Sequence, residues 1–173
     1  MTNAANGVQF DFFGDGKFIQ MAWTDPAYGN AWLALDRNGN GQIDNGTKLF
    51  GNITPQPKSS DANGYLALAE YNKPENGGNG DGFIDSHDAI FPKLLLWVDV
   101  NHNGISEPDE LHSLPELGVS RVDLQYFKSS RTDHYGNVFR YKARVWDAQG
   151  KQGDKWTWDV FLTAESEPKT SKN

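Results

Sequence analysis

Oxygen-bearing side chains recur at alternate positions ahead of a glycine in this chain. Asp36–Gly41 (DRNGNG) and Asp99–Gly104 (DVNHNG) carry the pattern intact, and Gly77–Gly82 (GGNGDG) carries a variant without the opening Asp. That spacing suits a hard cation. Ca²⁺ takes about six to eight oxygens in a flexible shell, and a loop of about twelve residues supplies them from positions 1, 3, 5, 7, 9 and 12. A glycine at position 6 lets the chain turn around the ion. Calcium binding is therefore the first chemistry these residues suggest.

Slot by slot, the three loops differ. From Asp99, the ligands are Asp99, Asn101, Asn103, the Ile105 carbonyl, Glu107 and Glu110, with Glu110 placed to close the shell as a bidentate carboxylate. From Asp36, they are Asp36, Asn38, Asn40, the Gln42 carbonyl and Asp44. Position 12 is Thr47 and Lys48 follows it, so no carboxylate closes that shell and weaker binding is expected. The third loop is set by Asp88 at position 12, which gives Asn79, Asp81, the Phe83 carbonyl and Asp85. Its position 1 falls on Gly77, so Asn72, Glu75 or Asn76 would have to reach in. Asp11–Gly16 (DFFGDG) looks similar, but Phe13 cannot ligate at position 3, and a hairpin turn is expected instead. Two to three calcium ions follow.

The surrounding elements must hold these loops. Val8, Phe10 and Phe12 alternate, as do Ile19, Met21 and Trp23, which predicts a hairpin over 8–23. Ala31–Leu35 and Leu94–Val98 are apolar runs leading into the first and last acidic loops. Tyr65–Tyr71 has helical composition, with Asp61 or Asn63 as its cap. Short helices are also expected over Ser86–Phe91 and from Ser106 to about Leu114, the latter capped by Ser106 with Pro108 early in its first turn. Arg121–Phe127, Val138–Trp146 and Lys155–Leu162 read as strands. The fold expected is α+β: loops with short helices, packed with an antiparallel sheet made of the N-terminal hairpin and the C-terminal strands. Residues 1–163 would form one domain and 164–173 a polar, disordered tail.

Bulk properties narrow the function classes. The formal net charge is −7 and no Lys/Arg cluster appears, which argues against a nucleic-acid partner. There is no cysteine, so disulfides, thiolate metal sites and cysteine nucleophiles are excluded. No run approaches the roughly 18 apolar residues of a membrane-spanning helix, so membrane insertion is not expected. The opening MTNAANG lacks the basic and apolar stretches of a secretion signal. His87, His102, His112 and His134 are scattered, and no nucleophile, phosphate-loop or HExxH motif is present.

The strings FDFFGDG (10–16), LDRNGNGQIDNGTKLFGN (35–52), NGYLALAEYNKPENGGNGDGFID (63–85) and LLLWVDVNHNGISEPDELHSLPELGV (94–119) resemble the bacterial EF-hand-type calcium-binding modules, with dockerin-like loops, of large secreted and surface proteins. The likeness covers roughly residues 8–163. It implies a calcium-binding α+β module of a larger secreted or cell-surface protein; the ions are expected to stabilise the fold, and an enzyme is not expected. Three departures stand out: Phe13 where that pattern often has Asp, Lys48 where many members carry Glu, and Asn72 in place of an Asp. The alternative is calcium-dependent binding of a protein or glycan partner, with Trp23, Trp32, Trp97, Trp146, Trp156 and Trp158 as candidate rings. A hydrolase ranks behind both, because no motif announces an active site.

Overall fold

The computed structural model describes residues 1–165. Its strands are β1 (Val8–Phe10), β2 (Ile19–Met21), β3 (Trp32–Leu35), β4 (Phe83–Ile84), β5 (Leu94–Trp97), β6 (Leu111–Ser113), β7 (Arg121–Asp123), β8 (Phe127–Thr132), β9 (Val138–Trp146) and β10 (Gln152–Phe161). They form three antiparallel sheets. β1 pairs with β2; the order β3-β5-β6 makes a second sheet; β10-β9-β7-β4 makes a third, with β8 also paired to β9.

The α+β expectation is corrected here to a mostly β fold. Among the described residues the sole α-helix is α1 (Gly64–Ala69), six residues long, and the other helical pieces are single 3₁₀ turns. Asn63 does cap α1, its Oδ1 accepting from the Tyr65 and Leu66 N–H groups. The helices expected over 86–91 and 106–114 do not form. Residues 86–90 are turns, and Pro92 sits inside a 3₁₀ turn, Phe91–Lys93. After the last loop the chain makes one 3₁₀ turn, Pro108–Glu110, and then becomes β6, whose Ser113 pairs with Leu95 of β5. Pairing with a waiting sheet edge satisfies these backbone groups better than one isolated turn of helix could.

The hairpin forms where the alternation placed it, with Val8 opposite Met21 and Phe10 opposite Ile19. It stays a separate sheet and does not join the C-terminal strands. Its link to the end of the chain is an isolated bridge from Met21 to Ala164, flanked by Ala22 N–H to Thr163 O and Glu165 N–H to Gln20 O. Ala164 and Glu165, expected to begin a disordered tail, are thus held against β2, and 166–173 lie outside the described residues.

Two apolar clusters make up most of the core. One gathers Phe10, Trp23, Ile43 and Trp97 between the hairpin and the β3-β5 sheet. The other gathers Leu68, Ile84, Leu94, Leu114 and Val122 under the large sheet. β3 and β5 run antiparallel with Leu35 opposite Leu94, so the loops that follow them leave from opposite ends of the ribbon. They curl back to meet where the Ile43 N–H donates to Ser106 Oγ at 2.7 Å. Ser106 is therefore a bridge between loops, not a helix cap.

Candidate metal centre

Four loops share one backbone turn. The position-1 side chain accepts from the glycine N–H five residues on at 3.0 Å for Asp11 to Gly16, 2.7 Å for Asp36 to Gly41 and 2.9 Å for Asp99 to Gly104. These glycines have φ of 79°, 79° and 71°, the left-handed region that a Cβ disfavours. In the fourth loop the same bond comes from Asn72, whose Oδ1 accepts from Gly82 N–H at 3.1 Å. Asn72 thus takes position 1, a slot that sequence register put on Gly77. Residues 73–79 bulge outward, and Gly80 N–H to Asn72 O at 2.8 Å closes the gap. The signal available in the sequence was that Asn72 stands where the resembled pattern carries an Asp, just before the insertion.

The interiors of the loops differ in what occupies them. In the 36–48 loop, the five oxygens expected to ligate a metal converge on the Lys48 ammonium. Nζ donates to Asn38 Oδ1 at 2.6 Å, Asn40 Oδ1 and the Gln42 carbonyl at 2.7 Å each, and Asp36 Oδ1 at 3.1 Å, and Asp44 Oδ1 lies at 3.1 Å. Lys48 is only 2 % exposed. Burial works against ionisation of Asp36 and Asp44, but Lys48 and amide donors, Gly41 N–H for Asp36 and the Asn40 side chain for Asp44, hold both carboxyls below their ordinary range.

In the 72–88 loop the occupant is an amide. Asn72 Nδ2 donates to the Phe83 carbonyl at 2.7 Å, Asp88 Oδ1 at 3.1 Å and Asn79 Oδ1 at 3.2 Å. Asp81 and Asp85 stay at its rim, bonded to neighbouring amides and to His87. With Oδ1 committed to Gly82, the face that a position-1 Asp would turn to a cation is an N–H₂ donor. Neither this loop nor 36–48 fits a metal as it stands.

The 99–110 loop has no such occupant. Asp99 accepts from Asn103 N–H, Gly104 N–H and the Trp23 indole N–H at 2.8 Å. Glu110 accepts from Val100 N–H at 2.8 Å and Trp97 Nε1 at 3.2 Å. Both carboxylates are almost wholly buried. Glu107 is half-buried, with Oε1 accepting from Asn103 Nδ2 at 2.8 Å while Oε2 is buried and meets no donor. The Asn103 amide holds the Glu107 carboxyl below its ordinary range. An orphaned buried carboxylate oxygen fits a cation partner. Among the described residues no group of three or more Asp, Glu, His or Cys is gathered closely enough to hold a metal by itself. Any shell here therefore also draws on Asn101, Asn103 and the Ile105 carbonyl, as a loop of this kind does.

Five of the six tryptophans do not offer bare rings; Trp32 is half-buried, its ring centroid 4.9 Å from that of Trp23. Trp23 and Trp97 are fully buried, and Trp146 and Trp156 lie under Arg121 and Lys142 at 4.3 Å and Trp158 under Arg131 at 5.2 Å.

A family model described as the SPM domain matches residues 1–163. Among similar proteins is the iron-regulated protein FrpA of Neisseria meningitidis serogroup C, 38 % identical over 152 residues. The match covers 86 % of this chain and only 13 % of FrpA, so the chain spans a small part of that relative's length.

Proposed function

The chain belongs to the SPM-domain family, and from that premise we propose that it is a calcium-binding structural module of a longer secreted or cell-surface protein. Its metal site is the loop from Asp99 to Glu110. The observation that carries this reading is the buried, donorless Oε2 of Glu107, in a loop that also brings in Asp99 and Glu110 and holds no cationic side chain. Oxygen ligands from side-chain amides, carboxylates and a carbonyl suit Ca²⁺ better than softer metals. Because Asp99 bonds Trp23 and Glu110 bonds Trp97, an ion here would brace the hairpin against the β3-β5-β6 sheet.

Calorimetric titration with Ca²⁺, alongside Glu107→Gln, tests the reading. The native protein is expected to bind with a Kd of about 10⁻⁴–10⁻³ M, typical of extracellular modules. Glu107→Gln keeps the shape and an acceptor for Asn103, and should weaken binding at least tenfold. Absence of binding heat, together with melting unchanged by chelator, would sink the proposal.

A further inference from the structure

We propose that Lys48 is a built-in cation that replaces a metal ion in the 36–48 loop and closes that loop to calcium. The inference deepens the calcium reading for the fold as a whole, but it stands on geometry that does not involve the 99–110 loop.

Nζ lies 2.6–3.1 Å from oxygens at positions 1, 3, 5, 7 and 9, the sequence spacing by which such a loop surrounds an ion. A surface lysine salt bridge would touch one carboxylate and keep its ammonium in water. Here the ammonium is buried and contacts two carboxylates, two side-chain amides and a main-chain carbonyl. Its position is fixed by the 3₁₀ turn Gly46–Lys48, which Asn45 caps through Thr47 N–H. The residue just past the loop, where a closing carboxylate could have come from, therefore points a cation inward.

Charge accounts for the exchange. A closing carboxylate plus a divalent ion carries a net single positive charge, and so does one ammonium. Asp36 and Asp44 therefore meet the same net single positive charge either way. Calcium would have to expel Nζ from its oxygens while leaving a positive charge beside the ion, and both changes oppose entry. The loop thus keeps the shape of a metal site without depending on metal supply.

The test is a pair of variants, Glu107→Gln and Glu107→Gln/Lys48→Glu, titrated with Ca²⁺ by calorimetry and with Tb³⁺ by luminescence. In the Glu107→Gln background the 99–110 loop is weakened, so a site made at 36–48 reads out separately. Restoring a closing carboxylate should add one metal equivalent, with affinity at least tenfold above any residual binding in the single variant. A folded double variant that gains no equivalent overturns the proposal. If the double variant does not fold, the native protein decides. Its Lys48 ammonium should give a slowly exchanging ¹⁵N–¹H signal that persists in saturating Ca²⁺. Loss of that signal as calcium is added would overturn the proposal, whatever happens at Asp99. Failure of the native protein to bind calcium, with the double variant gaining a site, would defeat the 99–110 reading and leave the Lys48 proposal standing.

Discussion

Lys48 and Asn72 each bring an N–H donor into a hollow lined with oxygens, and the consequences differ because one carries a charge. Removing the ammonium leaves Asp36 and Asp44 facing each other's field with no counter-ion. Without metal, Lys48→Met should destabilise the protein by about 1.5–3 kcal/mol, the range for hydrogen bonds to charged groups, as read by urea unfolding in chelator. Asp159 shows the opposite electrostatics. It is buried, its Oδ2 accepts from Gly64 N–H at 2.6 Å, and burial pushes its carboxyl above the ordinary value despite Gly64 and Arg140. A raised folded pKa means its contribution is fully present below the unfolded value of about 3.9 and is lost as pH rises through the folded value. Asp159→Asn keeps an acceptor for Gly64 and removes the titration. The variant should therefore match the native protein near pH 3.5 and exceed its stability increasingly toward pH 7. A constant difference across that range, measured by thermal melts, would contradict the assignment.

At the scale of elements, the loops act as a pair because Ile43 N–H ends on Ser106 Oγ. Ser106→Ala strands that buried N–H, and should cost about 1–3 kcal/mol in unfolding experiments. The loss should exceed that of a similar change at exposed Ser130, which no such bond needs. Gly46 ties the pair to the hairpin in a different way. A Cβ there would stand 2.1 Å from the Phe12 carbonyl oxygen, and its N–H donates to Asp11 O. Gly46→Ala must push the 36–48 loop away from the hairpin, so it should unfold the protein at lower denaturant, by about 1–3 kcal/mol. Parts of this arrangement were legible in the residues. The hairpin, β3, β5 and β9 announce themselves by apolar runs or alternation, and the shared turns by their Asx and glycine spacing. The exit from the last loop did not. Ser106, Pro108 and Asp109 spell a helix start, yet the free edge of β5 pulls the chain into β6, a tertiary pairing that local preference cannot report. β8 (FKSSRT) went unread past Phe127 because it is mostly solvent-exposed and lacks alternation. Asn72 could be read only as one of three candidates, with Glu75 and Asn76, because an insertion separates position 1 from the rest of its loop. Lys48 was visible as the missing carboxylate, but that its ammonium would turn inward follows only from the Gly46–Lys48 turn.

For the molecule as a whole, the proposed ion site lies where the hairpin, the loop pair and the β3-β5-β6 sheet share a core. Trp23 and Trp97 pack 5.4 Å apart between centroids, and their indole N–H groups end on Asp99 and Glu110. Calcium that binds only the folded chain stabilises it by mass action, about 1.4 kcal/mol at tenfold excess over Kd and about 2.7 kcal/mol at a hundredfold. In a domain of this size each kcal/mol moves the melting temperature by roughly 2–4 °C. Melting in 10 mM Ca²⁺ should thus lie about 3–10 °C above melting in chelator, as one cooperative transition seen equally by near-ultraviolet and far-ultraviolet circular dichroism. Mg²⁺ should give a smaller shift, because it dehydrates reluctantly and demands a tighter octahedron than this mixed shell of amides and carboxylates offers. Sharing of the core between the hairpin and the sheet sets the sharper expectation. If the ion braces both, the tryptophan signals that report the Trp23–Trp97 pair move with the rest of the fold. Two separated transitions in chelator, with only the hairpin melting early, would place the ion's effect on the hairpin alone and refute its role as a brace.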